Sequence, residues 1–363
     1  MPEIPLSLQM AALGLLIGAA FGANARYAEF CTLGAIADAC LAADQRRMRS
    51  WLFAIAIAIL LTQAMDAGRL IDLDRSIYLR PDFSWLGAIV GGLCFGFGMA
   101  LVGTCGYGSL IRLGGGDLRY LIDCLVLAVV AYMTLRGLFG LVRVSLIEPT
   151  DIEFSAVGSQ SLVELLAYIL DVSAAVLRWP VVFVAVAGLL AYCLLDPSFR
   201  NSRTAIFGGA AMGLLVAAGW FATGVLGADD FDLAPLRSLT FVTPVGESLV
   251  YLMTFTGASA NFGIGSVFGV VVGAFLVSLA KGELRLEGFD GRRELLRHLC
   301  GASLMGFGGV TALGCTIGQG LTGLSSLSLS APLAFGAIFL GAWIGLRYLA
   351  TGRVWNRSSA LSA

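Results

Sequence analysis

Long apolar runs constrain this chain before any other feature does. WLFAIAIAILLTQAM (51–65), YLIDCLVLAVVAYMTL (120–135) and WPVVFVAVAGLLAYCLL (179–195) carry at most one charged residue each. They approach the roughly 17–25 residues with which a helix crosses a bilayer. Only 13% of the 363 residues are charged, 58% are hydrophobic and the mean hydropathy is +0.87. A soluble domain would hold about twice that charged share. The chain therefore reads as an integral membrane protein, with no large soluble domain and none of the enzyme chemistry that would need one.

Charge placement suggests an orientation. The opening MPEIPLSLQM has no Lys or Arg, so it lacks the positive region of a cleaved signal. Arg46, Arg47 and Arg49 follow the first apolar unit. The positive-inside rule puts the N-terminus outside and the 46–49 loop in the cytoplasm. The cluster from Lys281 to Arg297 falls inside as well, although Glu283, Glu287, Asp290 and Glu294 interleave it.

Hydropathy predicts an all-α fold of about nine transmembrane helices plus short half-helices. The spans fall near 7–24, 50–66, 84–101, 119–145, 161–172 extending into 178–196, 204–226, 245–280 as two segments, 297–313 and 331–350. SIYLRPDFS (76–84) and IEPTDIEFSAVGSQS (147–161) read as loops. Among the 47 glycines, Gly14/Gly18/Gly22, Gly92/Gly96 and Gly265/Gly269/Gly273 have the spacing that lets helices approach closely in lipid.

One element recurs. GFGMALVGTCGYG (96–108) and GFGGVTALGCTIG (306–318) each open Gly-Phe-Gly, run six residues, place a cysteine, and follow it three later with glycine. Residues 18–34 hold a partial third copy, in which Cys31-Thr-Leu-Gly34 echoes Cys315-Thr-Ile-Gly318. Each cysteine sits at a glycine-rich break, followed by a segment too short to span. Repeats with broken helices are the common architecture of secondary transporters. They suggest halves at about 1–146 and 178–350 in inverted relation. GGAAMGLLVAAGWFATG (208–224) is a candidate fourth, cysteine-free copy with Trp220 near its break.

The eight cysteines include no CxxC pair, and His298 is the sole histidine, so a zinc or iron–sulfur site is not expected. No cofactor is predicted. Cys94, Cys124, Cys193 and Cys300 read as small buried hydrophobes. Cys40, nine residues after Cys31, falls on the opposite helix face and reads likewise. Cys31, Cys105 and Cys315 differ, because packing gives no reason to recur at a fixed offset from Gly34, Gly108 and Gly318. A half-helix N-terminus suits an anion, and a thiol there adds a soft, weak donor. That combination points to a sulfur-bearing anion handed between thiols, held weakly enough at each stop to leave. Asn24, Arg26, Arg112, Asn261, Thr316 and Gln319 are further polar candidates for the pathway. For Arg26, attraction of an anion and snorkelling to headgroups are equally open.

GCTIGQGLTGLSSLSLSAPLAFGAIFLGAWIG (314–345), GFGMALVGTCGYGSLIRLGGG and FCTLGAIAD resemble the YeeE/YedE family of sulfur-compound transporters, as does the glycine-rich span around 263–275. The resemblance implies thiosulfate uptake across the bacterial inner membrane, with the family's pathway cysteines at Cys31, Cys105 and Cys315. Each thiol would hydrogen-bond the substrate sulfur, without covalent chemistry or an ATPase. A small cytosolic sulfurtransferase of the TusA type is the partner it implies. No such domain is expected as a fusion, since the sequence ends VWNRSSALSA shortly after the last span. A related branch is associated with selenium.

Two other classes stay open from the residues alone. A membrane thiol/disulfide redox protein would shuttle disulfides among the three cysteines, and a structural subunit would need only the glycines.

Overall fold

The computed structural model describes residues 5–42, 44–154, 157–227 and 236–351. The C-terminal VWNRSSALSA and the first four residues of the opening segment lie outside the described residues. The first part of the chain forms α1 (Leu6–Tyr27), α2 (Thr32–Ala37), α3 (Arg46–Ala67), α4 (Trp85–Val102), α5 (Gly106–Gly114) and α6 (Arg119–Arg136). Then come α7 (Leu138–Val142), α8 (Leu162–Leu170), α9 (Ala174–Leu194), α10 (Pro197–Arg200) and α11 (Arg203–Phe221). The last are α12 (Val242–Met253), α13 (Phe262–Ala280), α14 (Arg292–Thr311) and α15 (Ser330–Thr351). Strands β1 (Asp82–Phe83) and β2 (Ile152–Glu153) pair antiparallel and join the two loops expected at 76–84 and 147–161.

The protein is an all-α, multi-pass membrane protein. Among the described residues, seven helices or continuous helix pairs are long and apolar enough to cross a membrane, or eight with the bent α6–α7 pair. Sequence hydropathy suggested about nine, and among the described residues nine helices have 18 or more residues, α1, α3, α4, α6, α9, α11, α13, α14 and α15; α6 alone and α14 fall short only in apolar character. The 161–172 segment makes only the nine-residue α8, roughly 14 Å long at 1.5 Å per residue. It ends at Asp171 in the left-handed region, φ 54°, rather than running into α9. The 245–280 region yields one full span, α13, because α12 has only 12 residues. α14 begins with Arg292, Arg293, Glu294, Arg297 and His298, which lower its mean hydropathy. Phe183, Val184, Phe207 and Leu276 stand exposed on outer faces, as a lipid-facing surface requires.

Glycines set the helix pairing. Gly14, Gly18 and Gly22 of α1 meet the backbone of Phe262, Ser266 and Val270 of α13, and Gly265, Gly269 and Gly273 return the contact to Ala11, Leu15 and Ala19. The two helices run parallel with backbones touching. α4 lies parallel to α15, with Gly92 against Ala334 and Gly96 against Ile338. It lies antiparallel to α14, with Gly91 against Gly308 and Gly98 against Gly301. α11 runs parallel to α3, with Gly209 at Ser50 and Gly213 at Ala54. α14 packs parallel to α6, where His298 Nδ1 lies 2.8 Å from Asp123 Oδ2 and both side chains are buried.

The two ends of the bundle differ. At one end Arg26 pairs with Glu283, Arg47 with Glu29 and Asp38, and Arg119 with Asp117, Glu287 and Glu294. This is the basic end. At the other, Arg178 of α9 pairs with Asp66 near the close of α3, and the 68–84 loop folds inward.

Candidate functional site

The three cysteines share one local geometry. Each caps the N-terminus of a short helical segment: Cys31 that of α2, Cys105 that of α5, and Cys315 the segment from Thr316 through the π-helical turn Gly318–Gly323. Two residues earlier, the chain in every case passes through the left-handed region: Glu29 at φ 51°, Gly103 at 86° and Leu313 at 57°. That residue terminates the incoming helix, and the cysteine opens the outgoing one. The motif is thus a structural repeat as well as a sequence one. Two of its turns hold non-glycine residues, a strain of about 1–3 kcal/mol each that the surrounding packing must sustain.

The glycine of Cys-x-x-Gly has two duties. At Cys31 and Cys315 its amide donates to the thiol sulfur, Gly34 N at 3.5 Å and Gly318 N at 3.4 Å. In both bonds the sulfur is the acceptor, so neither uses the S–H as donor. The bare Cα also admits a polar side chain that a Cβ would block. At Gly34 a Cβ would lie 2.9 Å from Arg47 Nη1; at Gly318 it would lie 2.6 Å from Thr240 Oγ1 and 3.3 Å from the Tyr78 hydroxyl. At Gly108 it would collide with the Thr104 hydroxyl.

The three thiols form a series. Cys105 lies within electrostatic range of both Cys31 and Cys315, and Tyr78 neighbours Cys315. Cys105 and Cys315 are fully buried, while Cys31 is partly open. Cys31 lines two vestibules at the basic end. One, of about 390 Å³, also contains Arg26, Gly34, Arg47, Thr104, Gly108 and Arg112. The other, of about 370 Å³, contains Asp44, Arg46 and Arg47. Close to the three thiols stands an aromatic cluster in which Phe21, Tyr107 and Phe241 sit with ring centroids 5.6–6.1 Å apart. The Tyr107 hydroxyl donates to the Phe30 carbonyl, tying α5 to the break before Cys31.

Several buried polar atoms around this series have no hydrogen-bond partner: Thr32 Oγ1, Tyr78 OH, Thr316 Oγ1 and Gln319 Oε1. Thr316 Oγ1 faces the Cys105 thiol without making a hydrogen bond of ordinary geometry. Gln319 Nε2 donates to the Ala312 carbonyl at 2.5 Å and braces the break, leaving its oxygen free. A buried polar group without a partner is unfavourable, and such groups gather where a ligand satisfies them.

The other sequence candidates separate. Arg26 and Arg112 do line the Cys31 vestibule; Arg26 is engaged with Glu283 at 3.0 Å and Arg112 with the Tyr120 hydroxyl at 2.7 Å. Asn24 and Asn261 are structural instead. Asn24 donates to the Gly208 carbonyl at 2.9 Å, and Asn261 caps α13 by accepting from Ile264 N at 3.0 Å. Of the remaining cysteines, Cys124 and Cys193 are buried, Cys94 is half-buried, and Cys40 and Cys300 lie at the surface. Trp220 is fully buried and donates to Ser325 Oγ at 3.0 Å, beneath the Cys315 segment. Thr240 and Tyr78 had no sequence signal, Thr104 and Tyr107 only their place beside Cys105 in the motif, and Arg47 only its place in the basic cluster 46–49.

The sulphur transport family profile matches residues 27–344, which includes all three breaks. The chain belongs to the sulphur transport family. This is the YeeE/YedE family that the motifs resemble, and the protein is a transporter rather than an enzyme. It is 26% identical over 360 residues to the thiosulfate transporter TsuA of Escherichia coli (strain K12), covering 95% of this chain and 93% of that one. It is 27% identical over 345 residues to the thiosulfate transporter TsuA of Spirochaeta thermophila, covering 91% of this chain and 96% of that one. A shorter match, 29% over 111 residues, links it to the probable transporter YedE of Salmonella typhimurium, across 30% of this chain and 25% of that one.

Proposed function

We propose that this protein takes up thiosulfate, or a closely similar sulfur anion, across a bacterial inner membrane. The anion passes between the thiols of Cys31, Cys105 and Cys315 by hydrogen bonding alone. The observation that carries this reading is the threefold recurrence of one break, with two of its thiol sulfurs accepting from a glycine amide. A thiol is a weak, soft donor, suited to the terminal sulfur of thiosulfate and poorly suited to hold sulfate. Weak stops in series allow release as well as capture. Gly34, Gly108 and Gly318 leave room at each stop, while Thr316 and Gln319 offer buried oxygens beside the deeper two. The larger vestibule, where Arg26, Arg47 and Arg112 outnumber Glu29, raises the local anion concentration.

The helix pairing favours an inverted repeat with halves near 1–146 and 178–350. α1 packs on α13 as α11 packs on α3, and α4 packs on α15 as α14 packs on α6. Each of these pairs is parallel, while α4 runs antiparallel to α14. A twofold axis exchanging α1 with α11 and α4 with α14 reproduces that pattern, as in other transporters with breaks at the midplane. By the positive-inside rule the basic end is cytoplasmic and the N-terminus outside. A cytosolic TusA-like sulfurtransferase would then receive the anion at the vestibule beside Cys31.

The test is flux into proteoliposomes holding the purified protein, using thiosulfate labelled in its outer sulfur. Uptake that excess sulfate does not suppress supports the reading. Uptake of selenite in place of thiosulfate would favour the selenium branch. A stable disulfide among the three cysteines, with no flux of either anion, would favour the redox alternative.

A further inference from the structure

Tyr78 is out of place for a loop residue. It belongs to the polar connection between α3 and α4, yet it is 1% exposed, and its hydroxyl lies beside the Thr240 hydroxyl without making a hydrogen bond of ordinary geometry. Its position is built rather than incidental. The ring stands edge-on to Trp220 at 6.3 Å and 78°. The Trp220 indole donates to Ser325 Oγ at 3.0 Å, and Gln63 Nε2 donates to the Ser325 carbonyl at 3.1 Å. This chain of contacts runs from α11 through the segment after Cys315 to α3. It holds the phenol so that its oxygen meets the first turn after Cys315, 3.3 Å from where a Gly318 Cβ would be. Thr240 Oγ1 converges on the same glycine from the stretch before α12.

A thiol alone recognises half of an S-sulfonate anion. Such an anion has a soft terminal sulfur at one end and hard sulfonate oxygens at the other. A phenol O–H is a stronger donor to oxygen than a thiol and a good partner for a sulfonate oxygen. Resting on the thiosulfate reading above, we propose that Tyr78 is a substrate-binding residue of this transporter. Its hydroxyl takes a sulfonate oxygen while the Cys315 thiol takes the terminal sulfur. Gly318 is the spacer that lets both act at one stop. The site thereby selects anions that carry both ends. Sulfate lacks the soft end and hydrosulfide lacks the oxygens.

The experiment compares uptake of outer-sulfur-labelled thiosulfate by the wild type, Tyr78→Phe, Thr240→Val and Cys315→Ala in proteoliposomes, with thermal stability of each measured in detergent. Tyr78→Phe keeps the ring and removes only the hydroxyl, which makes no hydrogen bond of ordinary geometry to its Thr240 neighbour. The expected result is a KM raised about tenfold, as for one lost hydrogen bond to a charged group, with unchanged stability. Thr240→Val serves as the second variant and is expected to raise KM in the same direction. A Tyr78→Phe protein with wild-type KM overturns the proposal and leaves the cysteine pathway standing, provided Cys315→Ala is inactive. A Tyr78→Phe protein that loses stability also overturns it, since the hydroxyl would then serve the fold. Wild-type protein without thiosulfate flux sinks the underlying reading and this proposal with it.

Discussion

Gly318 and Thr240 occupy one space. A Cβ on Gly318 would fall 2.6 Å from the Thr240 hydroxyl oxygen, closer than real Cβ contacts come. The glycine that the sequence repeats after each motif cysteine thus admits a polar side chain from a distant part of the chain. Gly318→Ala is expected to abolish most thiosulfate uptake while leaving the protein expressed, and Thr240→Ala in the same chain is expected to restore part of it. Gly103 supplies the contrast. Its φ is 86° but nothing lies within 4 Å of its Cβ position, so Gly103→Ala pays only about 1–2 kcal/mol of backbone strain. Uptake assays on both variants, normalised to membrane expression, check the pair.

The α1–α13 contact is backbone on backbone, and it lies far from the thiols in chemistry if not in space. Adding a side chain at Gly18 drives it into the Ser266 carbonyl. Gly18→Leu is expected to lower stability by more than the roughly 1–3 kcal/mol of ordinary overpacking, because backbone cannot yield as a side chain does. Thermal unfolding in detergent followed by size exclusion measures it. A variant as stable as wild type would mean the helices do not meet along that stripe.

His298 and Asp123 form a buried hydrogen-bonded contact at 2.8 Å between α14 and α6, with the second Asp123 oxygen unpartnered. Removing one partner strands the other. His298→Ala is expected to lose about 1–3 kcal/mol, the cost of a buried polar group left without its partner, whereas an apolar pair such as Asp123→Leu with His298→Leu recovers much of that. Detergent melting curves of the single and double variants decide it.

Much of this was legible in the chain, and the reasons for the rest are physical. The membrane character follows from run length, and the breaks from the recurrence of Cys-x-x-Gly, because both are local patterns. Gly14, Gly18 and Gly22 likewise announced a close helix contact, although not that its partner would be α13. Tyr78, Thr240 and Arg47 could not be read, since each reaches its thiol from elsewhere in sequence. A tyrosine within SIYLRPDFS looks like any loop aromatic until the loop is seen folded inward. Asn24 and Asn261 misled for the opposite reason. An amide in a membrane segment suggests a pathway, yet both are spent on a carbonyl and a helix cap. The count of about nine spans matches the nine described helices of 18 or more residues, although hydropathy alone does not see where α8 and α12 stop.

At the vestibule, Asp44 is held well below the usual carboxylate range, at about 2, chiefly by the side-chain hydrogen bond from Arg46. It stays ionised throughout the range in which transport is assayed and masks Arg46. Between pH 5 and 8 the vestibule charge therefore does not change through Asp44. Asp44→Asn is expected to lower the KM for thiosulfate about two- to threefold at low salt, an effect that fades as added salt screens the surface. Uptake kinetics at two ionic strengths test this.

The most direct measurement of the thiol pathway is uptake of outer-sulfur-labelled thiosulfate in cells lacking other thiosulfate carriers, comparing wild type with Cys31→Ala, Cys105→Ala and Cys315→Ala at matched expression. The account predicts that each single change removes most uptake, that Cys40→Ala and Cys300→Ala do not, and that excess sulfate leaves wild-type uptake intact. Wild-type uptake in all three motif variants would contradict it, because the repeated thiols would then serve packing alone.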